Sequence, residues 1–235
     1  MQDNFSISNY IKILIIIEDQ TNISFEEILK LLKLPKGIVL TNLSKLIKEN
    51  LIKFENNLYK LTTLGESWLD DKLTILKKLD YDDRKFKLVF IKNYSNRSCK
   101  TLFVDKLKKN GFVSFAYQVI IGKCDYDANI HALAKYYKIN EIEIIEIGNF
   151  QEKYLDYWDI AKIDDKYEQF VINAKTVLSN NRLLTAIRIN AKINIYYFAN
   201  ILISDPRIGT RGINYNETIK KALGYYQKIK IFCYD

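Results

Sequence analysis

The stretch SFEEILKLLKLPKGIVLTNLSKLIKENLIKFENNLYKL, residues 24–61, decides how the chain begins to fold. Ser24 and Glu27 approach a capping box, and Phe25, Ile28, Leu29 and Leu32 then recur at helical spacing. Lys33 to Lys36 make a tight turn, and Pro35 suits the first position of a further helix. That helix buries Val39, Leu43 and Leu46, with Ile47 flanking the stripe. Two short β-rich runs follow, Ile52 to Phe54 and Leu58 to Leu61, separated by Glu55, Asn56 and Asn57. Asn tolerates positive φ, so the pair predicts a hairpin. Upstream, Ser6 is the expected cap of a helix with Ile7, Tyr10, Ile11, Leu14 and Ile15 on one face. Helix, helix, tight turn, helix, hairpin is the order of a winged helix-turn-helix.

In that arrangement the third helix enters a major groove and the hairpin touches the neighbouring backbone. Between Lys33 and Lys60 stand six lysines (33, 36, 45, 48, 53 and 60) against Glu49 and Glu55. The expected contacts to double-stranded DNA are Lys33, Lys36, Gly37, Thr41, Ser44, Lys45 and Lys48, with Asn56, Asn57 and Lys60 from the hairpin. The plainer alternative is that these lysines are a solvated face. None of the six arginines falls in the first eighty residues, so bidentate guanine reading is absent there. Selectivity would fall to Thr41, Asn42, Ser44, the lysines or DNA shape, and a homodimer would be needed for useful affinity.

Composition bounds the rest. The chain has 235 residues, 48% of them apolar and 27% charged, which is globular usage large enough for a core without staples. The longest apolar run, Ile13 to Ile17, is far too short to span a bilayer, and no secretory leader is expected. Cys99, Cys124 and Cys233 are scattered and His131 is the single histidine, so neither a disulfide framework nor a metal or cofactor site is expected, and the reading is a cytoplasmic protein. The net charge of +8 favours an anionic partner and gives no reason to expect a membrane one.

Three domains are expected, 1–80, 81–150 and 151–235, the first closing with a helix from Trp68 to Leu79 and the acidic run Asp80 to Asp83. In the second, Lys85 to Ile91 reads as a strand and Ser98 to Asn110 as a helix closed by Gly111. Phe112 to Ala116 and Tyr117 to Ile121 read as strands, Asp125 caps another helix, and Glu141 to Ile147 alternates as a half-wet strand. This βαββαβ order is ferredoxin-like. A metal-dependent nuclease of the CRISPR type shares that topology and needs an acidic residue at the end of its first strand. Here that strand runs Lys85 to Asn93 without a carboxylate, so no catalytic residues are assigned. The third domain reads as helical, with Trp158-Asp159-Ile160 opening a helix, Asn180-Asn181 breaking it, and Asp205-Pro206 stopping a long helix from Arg182 to Ile203. Tyr196, Tyr197 and Phe198 read as core. The whole is an α+β chain.

These residues together resemble the PaaX-like family of phenylacetate-degradation repressors. Leu34 to Ile52 is similar to that family's recognition helix, Tyr59 to Thr62 with Gly65 to its wing exit, and Lys85 to Gly148 to its central domain. Trp158-Asp159-Ile160, with Tyr167 and Phe170, resembles its Trp-Asp-Leu motif, and Asp205-Pro206 its late Asp-Pro. The resemblance implies a dimeric transcriptional repressor released from DNA by an acyl-CoA such as phenylacetyl-CoA. Arg207 and Arg211, with Arg182 and Arg188 upstream, are the candidates to meet a phosphate-bearing effector, against the alternative that they are solvated or touch DNA backbone. A non-catalytic protein-interaction scaffold is the runner-up from another class.

Overall fold

The computed structural model describes residues 7–77, 85–124, 127–148, 150–179, 184–210 and 215–233. The expected cap Ser6, the acidic run 80–83, the cap Asp125 and the break Asn180-Asn181 lie outside them. The chain is mixed helix and sheet and divides into two compact units. Residues 1–77 join 166–200 and 217–235 in one, and residues 78–165 join 201–216 in the other. The last third of the sequence therefore contributes to both.

The first unit is built around α1 (Asn9–Gln20). Ile13, Leu14, Ile15, Ile16 and Ile17 are five consecutive residues no more than 1% exposed. Sequence periodicity predicts one apolar face, but a helix apolar on every side is a central helix, covered all round. α2 (Phe25–Leu32) carries a complete capping box: the Ser24 hydroxyl accepts from the Glu27 amide and the Glu27 carboxylate accepts from the Ser24 amide. It ends at Lys33 in the left-handed conformation, φ 52°. α3 (Lys36–Lys48) follows, with Pro35 capping it rather than occupying its first turn, because the Pro35 carbonyl already accepts from Ile38 and Val39.

β1 (Ile52–Glu55) and β2 (Leu58–Leu61) pair antiparallel, Ile52 opposite Leu61 and Glu55 opposite Leu58. Asn56 and Asn57 both have positive φ (52° and 63°), the requirement of a type I′ hairpin turn. Ile23 bridges Tyr59 on the hairpin's other edge, tying the hairpin to the segment before α2. α4 (Thr63–Lys77) starts five residues earlier than the sequence suggests. Thr62 is the reason: its hydroxyl accepts from the Gly65 amide and donates to the Asn50 carbonyl, so it caps a helix whose first turn would otherwise be a poor starter. Gly65 is required there, since a Cβ would stand 2.1 Å from the Leu51 carbonyl oxygen.

The C-terminal helices α7 (Ile160–Leu178), α8 (Leu184–Ser204) and α9 (Glu217–Lys230) complete this unit with the parts that belong to it. Phe198 stacks between Phe170 (4.6 Å) and Tyr226 (5.3 Å), with Tyr167 at its edge. Asp19, whose side chain is fully buried, receives Arg188 at 2.7 Å and Lys192 at 2.9 Å, and Lys192 also reaches Glu18. Burial opposes ionisation of Asp19, but the hydrogen bonds from Arg188 and Lys192 outweigh it and hold the carboxyl below its ordinary range.

The second unit runs β3 (Lys85–Asn93), α5 (Arg97–Lys109), β4 (Val113–Ala116), β5 (Val119–Cys124), α6 (Asp127–Tyr136), β6 (Glu141–Glu146). All neighbours are antiparallel and the sheet order is β4-β5-β3-β6. The two middle strands lie displaced from the sequence expectation because Tyr117 and Gln118 form the turn between them, with Gln118 at φ 58°. One sheet face packs Val89, Ile91 and Ile120 on Phe103 and Leu107 of α5 and Ile130 of α6. α5 closes in a Schellman motif: Phe112 donates to Leu107 and Gly111, φ 87°, to Lys108.

On the other face Phe86 stacks on Phe150 at 3.5 Å, and Trp158 meets both edge-on. The helix expected to open at Trp158-Asp159-Ile160 is α7, which starts at Ile160 under an Asp159 cap on Lys162; Trp158 itself follows a 3₁₀ turn over Glu152–Tyr157, and its indole donates to the Gly111 carbonyl at 3.0 Å. No described helix is long and apolar enough to cross a membrane.

Candidate nucleic-acid interface

α3 is anchored by Val39, Leu43 and Leu46, each no more than 1% exposed, which turns the rest of its circumference outward. Lys36, Gly37, Thr41, Ser44, Lys45 and Lys48 are all exposed, and so is Lys33 just before it. Thr41 folds its hydroxyl back onto the Gly37 carbonyl and Asn42 its amide onto the Ile38 carbonyl. Lys33, Lys36 and Lys48 make no ion pair among the described residues. Lys36 lies 5.6 Å from the Phe25 ring.

Lys45 is held more firmly. It sits 5.0 Å over the Tyr10 ring and 3.9 Å from Glu49, and the Tyr10 hydroxyl donates to that same Glu49. Burial, the Glu49 hydrogen bond and the Glu49 charge push the Tyr10 phenol far above its ordinary pKa. The phenol therefore stays protonated and pins the C-terminal end of α3 to α1.

The hairpin presents Asn56 and Asn57 at its exposed tip. Lys53 and Lys60 stand directly opposite each other across the strands. Like charges in that register repel unless an anion lies between or beside them, and Lys53 takes Glu55 at 3.0 Å. Lys60 is half-buried and faces a cavity rather than the α3 surface.

The exposed face of α3 carries apolar side chains beyond the Leu40 that the helical pattern already turns outward. Ile38, Leu40 and Ile47 are 40–44% exposed and Phe54 of β1 is half exposed. Ile47 flanks the buried stripe in the helical pattern, but the stripe it flanks is only three residues wide.

The four candidate arginines divide. Arg182 and Arg211 lie outside the described residues. Arg188 belongs to the first unit and is paired with Asp19. Arg207 belongs to the second and is buried: its guanidinium donates to both Asp205 oxygens and, at 2.6 Å, to Asp164. The anion expected for Arg207 is thus supplied from within the chain. Opposing burial is outweighed by these two carboxylates, which raise its already high pKa. His131 stands beside Ser95 and Lys138 in a shallow surface depression with no nucleophile arrangement. Among the described residues no three of His, Cys, Asp or Glu come together as metal ligands would.

No family model matches the chain, and no curated protein matches it. A solved structure that does is an uncharacterized protein, Rv0674, from Mycobacterium tuberculosis, with a TM-score of 0.53 at 6% identity over 97% of this chain and 96% of that one. That likeness concerns the fold alone, a mixed α+β chain.

Proposed function

We propose that the protein is a DNA-binding transcriptional regulator, a homodimeric repressor whose first eighty residues form a winged helix and whose residues 81–150 form a ferredoxin-like domain, in the manner of the PaaX-like family. The observation that carries this reading is α3: a helix anchored on one side by three apolar residues, offering lysines and small polar side chains on the other, followed at once by a type I′ hairpin. Unpaired lysines on a helix of groove-fitting size suit phosphates, and Gly37 lets backbone approach the DNA closely, since open space surrounds it. The exposed Leu40 and Ile38 suit thymine methyl groups, a readout that does not need Arg. Absence of Arg on this surface makes each monomer's grip weak, which is why a dimer on paired half-sites belongs to the proposal. An acyl-CoA release signal belongs to the family resemblance; the internal pairing of Arg207 removes one of its expected contacts.

The test is a gel shift of the purified chain on the DNA upstream of its own gene, with excess unrelated competitor. A discrete band that survives competitor supports the reading; no retention even at low salt overturns it. A second reading, a protein-binding scaffold, is favoured by one observation, the exposed Leu40 and Ile47, which share a flank of α3. It predicts capture of a protein partner that is insensitive to salt and abolished by Leu40→Asp.

A further inference from the structure

One end of the second unit gathers three connections. β3 ends there at Asn93, β6 begins opposite it at Glu141, and the β4–β5 turn at Tyr117 and Gln118 lies beside them. Hydrogen bonds stitch the three together. Ser95 donates to the Lys138 carbonyl from both its amide (3.3 Å) and its hydroxyl (3.0 Å), Asn140 donates to the Asn93 carbonyl, and Ile91 to the Gln118 carbonyl.

This end is basic and aromatic. Residues 92–100, 117–118 and 131–141 hold Lys92, Arg97, Lys100, Lys135 and Lys138 against Glu141 alone. Lys92 is taken by Glu143, but Arg97, Lys100, Lys135 and Lys138 make no ion pair among the described residues. A shallow depression of about 630 Å³ lies between His131, Lys135, Lys138 and Ser95. Tyr117 and Tyr136 are 83% and 77% exposed, more than any other aromatic among the described residues. Each is braced from below. The Lys100 ammonium sits 5.0 Å from both the Tyr94 and Tyr117 rings, Tyr137 meets Tyr136 edge-on at 4.9 Å, and Tyr94 and Tyr137 pack against the core under α5 and α6.

Chemistry narrows the occupant. Phosphates suit the four unpaired cations, and braced, exposed rings suit the faces of unpaired bases. A duplex keeps its base faces inside the stack, so it would use the cations and not the tyrosines. An acidic peptide would likewise leave the rings idle. A single strand uses both.

We propose that this end of the second unit binds single-stranded nucleic acid, with bases stacked on Tyr117 and Tyr136 and phosphates on Arg97, Lys100, Lys135 and Lys138. These contacts take base faces and phosphates, which DNA and RNA share. The site goes beyond the duplex-binding reading and lies in the other unit from α3.

The experiment is fluorescence anisotropy of three labelled strands, oligothymidylate, oligouridylate and an abasic deoxyribose-phosphate chain. Each is about 12 nucleotides long, inside the roughly 4–16 that small single-strand modules cover. The full chain carries Lys36→Gln/Lys48→Gln, which weakens α3 as a competing site, so failure here leaves the duplex reading untouched. The base-bearing strands should bind at least about 30-fold more tightly than the abasic one, as two stacked bases imply. Binding of one sugar type alone supports the proposal and names the strand. Tyr117→Ala and Tyr136→Ala change exposed side chains, so the fold persists, and each should weaken binding by about fivefold or more, with Trp at the same position restoring it. Arg97→Gln/Lys135→Gln should flatten the slope of log affinity against log salt by about 1.4. No binding of either base-bearing strand at low salt, an abasic strand held as tightly, tyrosine variants that keep full affinity, or polyglutamate competing as well as the oligonucleotide would each overturn the proposal.

Discussion

Arg207→Met tests whether this arginine is a structural or a ligand-facing group. Its side chain is 8% exposed, and it bonds Asp205 in two places (2.9 and 3.0 Å) and Asp164 in one (2.6 Å). The Asp205 side chain is fully buried, while that of Asp164 is 29% exposed and regains water when the arginine goes. The cost therefore concentrates on Asp205. Breaking a buried pair by removing one partner costs about 3–5 kcal/mol; Asp205 keeps the backbone amide of residue 207 but loses the guanidinium. At about 2–4 °C per kcal/mol for a chain of this size, melting should fall by roughly 6–20 °C. Trp158 lies in the same unit as Arg207, and Trp68 in the other, so urea unfolding followed by fluorescence in a Trp68→Phe background reports the correct unit. Adding Asp205→Asn to Arg207→Met removes the buried carboxylate that has lost its guanidinium and should restore at least about 1 kcal/mol. A single Arg207→Met chain within about 0.5 kcal/mol of wild type, the range of an ordinary surface change, would refute the structural role.

Gly65→Ala should destabilise the first unit by about 1–3 kcal/mol, although Ala in a helix ordinarily gains about 1 kcal/mol over Gly, because the new Cβ meets the Leu51 carbonyl; denaturant melts that show a gain would contradict the close approach. Asp19 has its folded pKa below its unfolded value near 3.8, so its contribution is fully present above that pH and is lost as the pH falls through the lower folded value. The stability gap between wild type and Asp19→Asn should accordingly shrink in acid; a gap constant from neutral pH down to strong acid would deny the Arg188 and Lys192 pairing.

Local order was legible because its causes are local. The Ser24–Glu27 capping box, the Asn56-Asn57 turn and the Val39–Leu43–Leu46 stripe each rest on residues within one or two turns of each other. The βαββαβ order also reads from alternation and caps, and the observed strand order β4-β5-β3-β6 is one such a chain adopts. What escaped reading is long-range. Asp19 meets Arg188 across 169 residues, and Asp164 meets Arg207 across 43, so sequence cannot tell that either arginine already has its anion. Trp158-Asp159-Ile160 reads as a helix opening, and α7 does open there, but the partners of the Trp158 ring, Gly111 and Phe86, lie 47 and 72 positions away. The start of α4 was hidden by Gly65, a poor helix former whose presence answers to the Leu51 carbonyl rather than to helix propensity. The cavity lined by one face of α4, Leu69, Leu73 and Leu76 among it, takes its other walls from elements distant in sequence, so its existence has no local signature.

The measurement that bears most directly on the DNA-binding account is fluorescence anisotropy of labelled upstream duplex titrated with the chain across a range of salt concentrations. Each phosphate contact contributes about −0.9 to the slope of log affinity against log salt. Lys36→Gln/Lys48→Gln removes two exposed lysines free of ion pairs and spares Lys45, which helps hold Tyr10 and Glu49. The account predicts a steep wild-type slope that becomes shallower by about 1.8 per bound monomer in this variant, with melting temperature unchanged. An unchanged slope, or a chain that binds no duplex at low salt, would contradict it.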